Sequence, residues 1–464
     1  MKILLVRPTG PKFYETAGPD IGLGYLMRVL KDHGHTVALY DLFQKGAGAK
    51  GLLERARVFG PDLIGFKTYS LALPEVDSLI RRLRRQGYHG RFVLGGPHPS
   101  GDPTGTLAGL PDVSFVIAGE AEIGFPMLVQ ALEQGGDDPP ERLLEAIPGL
   151  AWRSNAGFAV NPPVFPKDFD RFGQPDWESM NPHRYPIDYT GAIYVPIMTT
   201  RGCPFHCTYC AGHKVTGRAI RHRSIQRIIE EIRLIKDRWG IRTFGLVDDN
   251  FTLDLDFAKE VCRAMITEGL DIRWRCPNGI RLDTLDAEVV RLMERAGCFY
   301  VYVALESGSQ RILDAMNRRT RLDVMIEKVK MIRRVSRIKM LGFFIIGYPD
   351  ETVGDIIASI RLAKALPLDM ASFFLFTPHP GTDIYNRLKQ EGRLSNPSWT
   401  SFFYDKVTVL PREISEKQLL SLERHAYRAF YGRPRIVRGI LADVRSLGQL
   451  RRLVQRSLAT ALNI

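Results

Sequence analysis

The sequence predicts an α/β protein in three successive parts: a Rossmann-like (flavodoxin-like) front domain over residues 1–135, a partial (β/α)6 barrel over 191–394, and a helical region over 395–464. Three observations carry this. Apolar runs of strand length alternate with helix-length stretches in the first two parts, the signature of parallel sheets covered on both faces. Glycine-rich turns follow those runs, where open α/β sheets place their ligands. Beyond residue 395 the apolar spacing becomes helical.

In the front part, KILLVRP stops at Pro8 and reads as a first strand, being too short for the apolar core of a signal peptide. A helix is expected over 23–33, then the strand TVALY, a helix over 52–58 and the strand DLIGFKTY. A helix over 76–86 leads to RFVLGG, and VSFVIAG leads to a helix from Ile123. Residues 136–190 are rich in Pro, Asn, Asp and Gly, which predicts a surface linker with a short hairpin around Asn155 to Gly157. In the second part, AIYVPIMTT, RTFGLVDD, IRWRC, CFYVYVALE, IKMLGFFIIG and MASFFLFTP are the six expected strands. Between the first two, Ile225, Ile228, Ile232 and Ile235 recur at helical spacing. In parallel barrels function sits at the carboxyl ends of the strands.

From Arg433 onward the chain sets Val437, Ile440, Leu441, Val444, Leu447 and Leu458 among seven arginines and one aspartate. This stretch has two readings: a helix packed on the barrel with its arginines outward, or an interfacial helix touching anionic lipid. The net charge of +13 owes much to this tail, and Arg81, Arg82, Arg84 and Arg85 read as a solvated helix face. No aromatic-interleaved basic patch is present, so no nucleic-acid partner is expected. No run of 18 apolar residues is present either, so a cytoplasmic protein is expected, with membrane contact confined to the basic tail.

Chemistry concentrates in TTRGCPFHCTYCAG, where Cys203, Cys207 and Cys210 have the spacing C-x3-C-x2-C directly after an expected strand. Structural zinc needs a fourth ligand, for which His206 and His213 are the local candidates. Three thiolates on a four-iron cube leave one iron open to a ligand, which suits this spacing better. Cys262, Cys276 and Cys298 stand alone and read as small buried hydrophobes.

This loop resembles that of the radical S-adenosylmethionine (SAM) enzymes. The resemblance implies a [4Fe-4S] cluster on Cys203, Cys207 and Cys210, whose open iron chelates SAM and whose electron splits the sulfonium to a 5′-deoxyadenosyl radical. It implies an electron donor such as a flavodoxin or ferredoxin. Tyr209 matches the aromatic position near the adenine. Asp248, Asp249 and Asn250 of VDDNFT match the place that binds the methionine amino group. Glu306 and Ser307 of ALESGSQ match the ribose and methionine-polar position. Gly347 of GFFIIGYPDET, with Glu351, matches the strand end where adenine meets backbone, and His379 and Gly381 of TPHPGT end the sixth strand.

The front part resembles the cobalamin-binding domain fused ahead of many such enzymes, through GPDIGLGYL, GFKTYSLAL, LGGPHPS and VIAGEAEIGF. Gly22 and Leu23, Ser70, Gly95 and Gly96, His98 and Glu120 are its candidate cofactor contacts. Many cobalamin domains carry a D-x-H-x-x-G loop whose histidine ligates cobalt. Here the turn reads Asp20-Ile21-Gly22-Leu23-Gly24, so no histidine ligand is expected from it. His33 and His35 are expected at the surface or capping a helix. The class includes methyltransferases and the anaerobic magnesium-protoporphyrin ester cyclase. It implies methyl transfer from methylcobalamin to an unactivated carbon or phosphorus of a small-molecule or lipid-like substrate. Cyclisation or rearrangement without net methyl transfer, and a non-catalytic cobalamin sensor, are the alternatives. Tyr194, Tyr348 and His379 are candidate substrate contacts or packing residues.

Overall fold

A computed structural model of the chain describes every residue except 11–17, 137–138, 189–190, 395–397, 443, 445–447 and 449–464. Leu447 and Leu458 of the tail's apolar stripe therefore lie outside the described residues.

The front sheet is built on β1 (Lys2–Arg7), β2 (Thr36–Asp41), β3 (Leu63–Lys67), β4 (Arg91–Gly95) and β5 (Val113–Ile117). These run parallel in the order β2-β1-β3-β4-β5, whose switch point lies between β1 and β3. The strand period of two sends Leu4, Val6, Ile64, Phe66, Phe92 and Leu94 to one face, under the helix Leu73–Arg85. It sends Ile3, Leu5, Leu63, Val93 and Phe115 to the other, under the helices Ile21–Asp32 and Ala121–Gly135. His33 caps the first of these, its Nδ1 lying 2.8 Å from the Val29 carbonyl oxygen.

The expected hairpin forms as β6 (Leu150–Ser154) and β7 (Gly157–Val160), and β6 pairs antiparallel with β5, so the hairpin extends the front sheet. The rest of 136–190 departs from a surface linker. Phe169, Trp177, Met180 and Tyr185 are buried, and Trp177 Nε1 donates to Glu231 Oε1 at 2.9 Å on the barrel's first long helix. Its Pro and Asn content sets the turns of this segment, while its aromatic rings fasten it between the two sheets.

The second sheet contains β8 (Val195–Ile197), β11 (Thr243–Leu246), β12 (Arg273–Ile280), β13 (Cys298–Glu306), β14 (Lys339–Ile346) and β15 (Met370–Leu375), all parallel and in sequential order. Each coincides with one of the six apolar runs. No pairing joins β8 to β15 among the described residues, so the barrel is open. Its outward residues, among them Val301, Val303, Phe344 and Phe373, pack on a ring of helices, and Cys262, Cys276 and Cys298 are buried in that layer. The short strands β9 (Thr200–Arg201) and β10 (Arg221–His222) pair antiparallel just beyond β8. The three-cysteine segment is the loop they close.

An open barrel leaves edges, and an unpaired edge invites association. The helix Glu416–Tyr431 covers β15. Tyr431 Oη donates to the Ala371 carbonyl at 2.8 Å and accepts from the Ala371 N–H at 3.2 Å. Tyr427 does the same for Phe373, at 3.3 and 3.2 Å. The next helix, Pro434–Ala442, buries Ile436 and leaves Val437 and Leu441 exposed. No helix among the described residues is long and apolar enough to cross a membrane.

Candidate functional site at the facing strand ends

The cysteine loop is held from three sides. At its base, Asp248 Oδ1 accepts from the backbone N–H of Thr199 at 2.6 Å and of Thr200 at 3.1 Å, and Asp248 Oδ2 accepts from the Thr199 hydroxyl. Asp249 Oδ2 accepts from the Gly202 N–H at 3.0 Å and from the Thr216 hydroxyl at 2.7 Å. Farther along, the Thr208 N–H donates to the Met316 carbonyl at 3.0 Å, and the Thr208 hydroxyl lies 2.9 Å from Tyr348 Oη. Asp248 and Asp249 thus splint the loop to the end of β11. Burial raises the Asp248 carboxyl to about 6 against the lowering effect of its hydrogen bonds.

Cys203, Cys207 and Cys210 are free thiols. Burial, then Asp249 and Cys207, push the Cys203 thiol up, so thiolates here need added positive charge. Arg318 supplies some: its Nη1 lies 3.8 Å from Cys207 Sγ and 4.0 Å from Glu306 Oε1. No group of three or more His, Cys, Asp or Glu side chains among the described residues is arranged around a single metal ion. A cube offers a separate iron to each thiolate and needs no such convergence. The donor set therefore fits the cluster.

Around the loop the strand ends carry polar atoms without partners. Asn250 Nδ2, Arg281 Nη1, Arg318 Nε, Thr320 Oγ1 and Glu351 Oε1 are buried and unbonded, a mixed donor and acceptor set that a polar ligand would satisfy. Glu306 stands in the left-handed region, at φ 63°, just past a register shift at the end of β13. That strain is held in place and aims its carboxylate at Tyr209, whose Oη donates to Glu306 Oε1 at 2.9 Å. Ser307 lies behind it, 3.3 Å from Ser359 Oγ. Gly347 has φ 81° and a Cβ there would stand 2.9 Å from Leu419. The Gly347 N–H donates to Glu351 Oε2 at 2.6 Å, and burial raises the Glu351 carboxyl to about 8. Tyr209 and Glu306 thus meet at the mouth of the barrel beside the cysteine loop, with Gly347 at the end of the next strand and Asp248 and Ser307 buried behind.

In the front domain Asp20 caps the helix Ile21–Asp32, accepting from the Leu23 N–H at 3.0 Å and from Lys67 Nζ at 2.7 Å. Lys67 and Arg7 hold its carboxyl down at about 2 against the effect of burial. A Cβ on Gly22 would lie 3.1 Å from Lys67 Nζ. The Leu23 side chain packs in the core. Gly96, at φ 99°, lets the chain pass Thr68, whose backbone N would be 3.0 Å from a Cβ, whereas a Cβ on Gly95 would meet only Ile117 O at 3.5 Å. His98 is buried, its Nδ1 2.8 Å from Ser70 Oγ and its ring edge-on to Trp399 at 4.6 Å.

Glu120 faces the barrel. Its carboxylate receives Arg221 at 2.6 and 2.9 Å and Arg201 at 3.4 Å, and Arg201 also donates to Glu122 at 2.7 Å. All four side chains are at most 7% exposed. A buried ionic cluster therefore joins the end of β5 to the strands β9 and β10. A second junction is steric: a Cβ on Gly101 would lie 2.2 Å from Pro380 O, and one on Gly381 2.6 Å from Gly101 O. The carboxyl ends of the two sheets consequently face each other at close range.

Arg201, Arg221, Glu122, Arg318 and Lys67 are functional candidates that the sequence reading passed over. Arg201 stands two residues before Cys203, which is a usable signal. Arg318 lies in the run Asn317-Arg318-Arg319, which reads as solvated charge. Of the three candidate substrate contacts, Tyr348 is buried under Thr208, and Tyr194 packs over Gly245, where a Cβ would lie 2.2 Å from its ring. His379 is half-buried, and desolvation lowers its imidazole to about 4.

A three-cysteine loop on an open parallel barrel, facing a doubly wound domain across a buried ionic junction, is the arrangement a two-cofactor radical enzyme would need. Comparison with known proteins agrees. Residues 197–363 match the radical SAM superfamily and residues 14–129 the B12 binding domain. The chain is 30% identical over 94% of its length, and 94% of the relative's, to an uncharacterized methyltransferase of Pyrococcus horikoshii. It is 27% identical to cytidylyl-2-hydroxyethylphosphonate methyltransferase of Streptomyces wedmorensis, covering 84% of this chain and 82% of that one. It is 24% identical to the anaerobic magnesium-protoporphyrin IX monomethyl ester cyclase of Cereibacter sphaeroides, covering 93% and 70%. The fold matches the radical SAM methyltransferase TsrM of Kitasatospora setae (TM-score 0.70, 19% identity, 92% of this chain and 85% of that one). It also matches the cobalamin-dependent SAM radical enzyme OxsB (TM-score 0.75, 15% identity, 100% and 71%). The chain belongs to the cobalamin-dependent radical SAM methyltransferase family, and is an enzyme whose two domains imply a [4Fe-4S] cluster, SAM and cobalamin.

Proposed function

We propose that the protein transfers a methyl group from methylcobalamin to an unactivated carbon, or phosphorus, of a small-molecule or lipid-like substrate. The observation that carries this is the fixed opposition of the two sets of strand ends, through Gly101 against Gly381 and Glu120 against Arg201 and Arg221. When bound, the cluster with SAM supplies hydrogen abstraction and cobalamin supplies the methyl carrier. Cys203, Cys207 and Cys210 would hold the cluster. Tyr209, Asn250, Glu306 and the Gly347 turn would bind SAM, and Asp248 and Asp249 would keep the loop in place. Ser70, Gly95, Gly96 and His98 would line the cobalamin cradle. Methyltransferase relatives at 30% and 27% stand slightly above the cyclases, at 23–26%, which supports methyl transfer over ring closure.

The same reading leaves cobalt without a protein histidine. Gly22 offers no side chain there, and its Cβ direction is filled by Lys67 Nζ. Nitrogen hyperfine splitting from an imidazole in the reduced cobalt state would contradict this. A flavodoxin or ferredoxin is the expected electron donor. Exposed Val437 and Leu441, one turn apart beside Arg438, support peripheral contact of the basic tail with anionic lipid, which vesicle co-sedimentation measures. The reaction itself is tested by anaerobic incubation with SAM carrying a labelled methyl group and a metabolite extract. Methyl transfer places that label on a product alongside 5′-deoxyadenosine, whereas 5′-deoxyadenosine without label in a product identifies cyclisation or rearrangement.

A further inference from the structure

The inward wall of the barrel carries a run of aromatic rings that neither cofactor cradle uses. Tyr302 on β13 lies 5.2 Å from Phe343 on β14, and Phe343 lies 5.3 Å from Phe374 on β15, centroid to centroid. Tyr404, from the segment after the barrel, extends the run at 5.1 Å from Phe374. These rings project opposite to Val301, Val303, Phe344 and Phe373, which pack on the helices. Rings serving only as core filler would be covered. Here Tyr302, Phe343 and Phe374 are half-buried, and Tyr404 keeps 45% of its surface exposed.

The run has a definite place. Phe343 pairs across the sheet with Ala304, two residues before Glu306, so one end stands beside the mouth formed by Glu306 and Tyr209. Its other end, Tyr404, belongs to the segment whose Trp399–Ser401 turn packs on Ser70–Ala72 of the front domain, next to Tyr69, which is 39% exposed. Ala304 and Ser372, the cross-strand partners of Phe343, are small and uncharged. Tilts of 40° to 57° between neighbouring rings present faces and edges together, which suits offset or edge-to-face contact with another flat π-system.

We propose that this wall is a substrate subsite for a planar aromatic or conjugated group. The proposal rests on the reading that substrate sits between the two cradles, and it narrows the substrate class. The test uses the full chain, reconstituted anaerobically with iron, sulfide and cobalamin, and titrated with anthracene-2-carboxylate as the planar probe and palmitate as the saturated one. Saturable binding of the planar probe is expected, weakened about tenfold by Phe343→Leu and by Phe374→Leu. Phe158→Leu, at an exposed ring on β7, should leave it unchanged. Tyr302→Phe should keep the affinity that Tyr302→Leu loses, with iron content verifying that each variant is folded. Tighter binding of palmitate, or planar binding indifferent to Phe343→Leu, Phe374→Leu and Tyr302→Leu alike, overturns the subsite. A bound planar probe in a protein that labels no product supports the subsite and overturns only the reaction. Labelled methyl on a saturated product that does not compete with the probe does the reverse.

Discussion

Glu120→Gln probes the junction on which the opposition of the two cradles depends. The substitution keeps the side chain's shape and removes its charge. Arg201 and Arg221, each about 4% exposed, are then left with one carboxylate, Glu122, where there had been two. Breaking a buried pair by removing one partner costs about 3–5 kcal/mol. Arg221 retains the carbonyls of Pro166 and Thr216, and Arg201 retains Glu122, which puts the loss near the lower end, at about 3 kcal/mol. The penalty is local, so hydrogen exchange followed by mass spectrometry reads it directly. Under conditions where reclosing outpaces exchange, amides of residues 198–203 and 221–223 should exchange about 100-fold faster, while those of the helix Val353–Ala365 stay unchanged. Unaltered exchange at 198–203, or equal acceleration in that distant helix, would refute the assignment of Glu120 to the junction.

Three further perturbations follow from the same geometry. The Asp248 carboxyl titrates near 6 in the folded chain, above its ordinary value, so the native state binds more protons than the unfolded one between about pH 4 and 6. Its contribution is therefore full below that window and is lost as pH rises through it, by roughly 3 kcal/mol. Asp248→Asn should flatten the fall of the urea midpoint of the metal-free chain across the window, and an unchanged pH slope would contradict this. Replacing both Tyr427 and Tyr431 with Phe removes the hydroxyls that serve β15, stranding two N–H and two C=O groups at about 1–3 kcal/mol per group left unsatisfied. Concentration-dependent association by light scattering is expected, and a monodisperse, equally stable double variant would count against the edge-cover role. Gly347→Ala, at φ 81° with Leu419 2.9 Å from the new Cβ, should destabilise by about 1–2 kcal/mol and lower the measured affinity for SAM, and a neutral result would remove Gly347 from the account.

How far the residues announce themselves depends on the range of the forces involved. All six barrel strands were legible because a strand covered by helices needs a continuous apolar run, and CFYVYVALE or IKMLGFFIIG reads as little else. The cysteine loop was legible because its donors are local. Glu120 reads as a cofactor contact only through the resemblance of VIAGEAEIGF to a cobalamin domain. Its partners lie 81 and 101 positions away, at Arg201 and Arg221, a separation no local pattern expresses. The burial of 169–185 was hidden for a related reason: proline and asparagine report backbone turns, whereas the rings of Phe169 and Trp177 take their meaning from a surface supplied by other parts of the chain. The aromatic wall is likewise split over β13, β14, β15 and the segment beyond, and becomes continuous only when those strands pair side by side.

The central claim is that Cys203, Cys207 and Cys210 carry a four-iron cluster with one iron available to SAM. Iron and sulfide quantification with electron paramagnetic resonance, on anaerobically reconstituted full-length protein and on each single cysteine-to-alanine variant, addresses it most directly. The parent chain should hold about four irons, show the reduced-cluster signal, and change that signal when SAM is added. Each variant should lose signal and 5′-deoxyadenosine formation together. A colourless, iron-free parent chain, or a variant retaining the full four-iron signal, would contradict it.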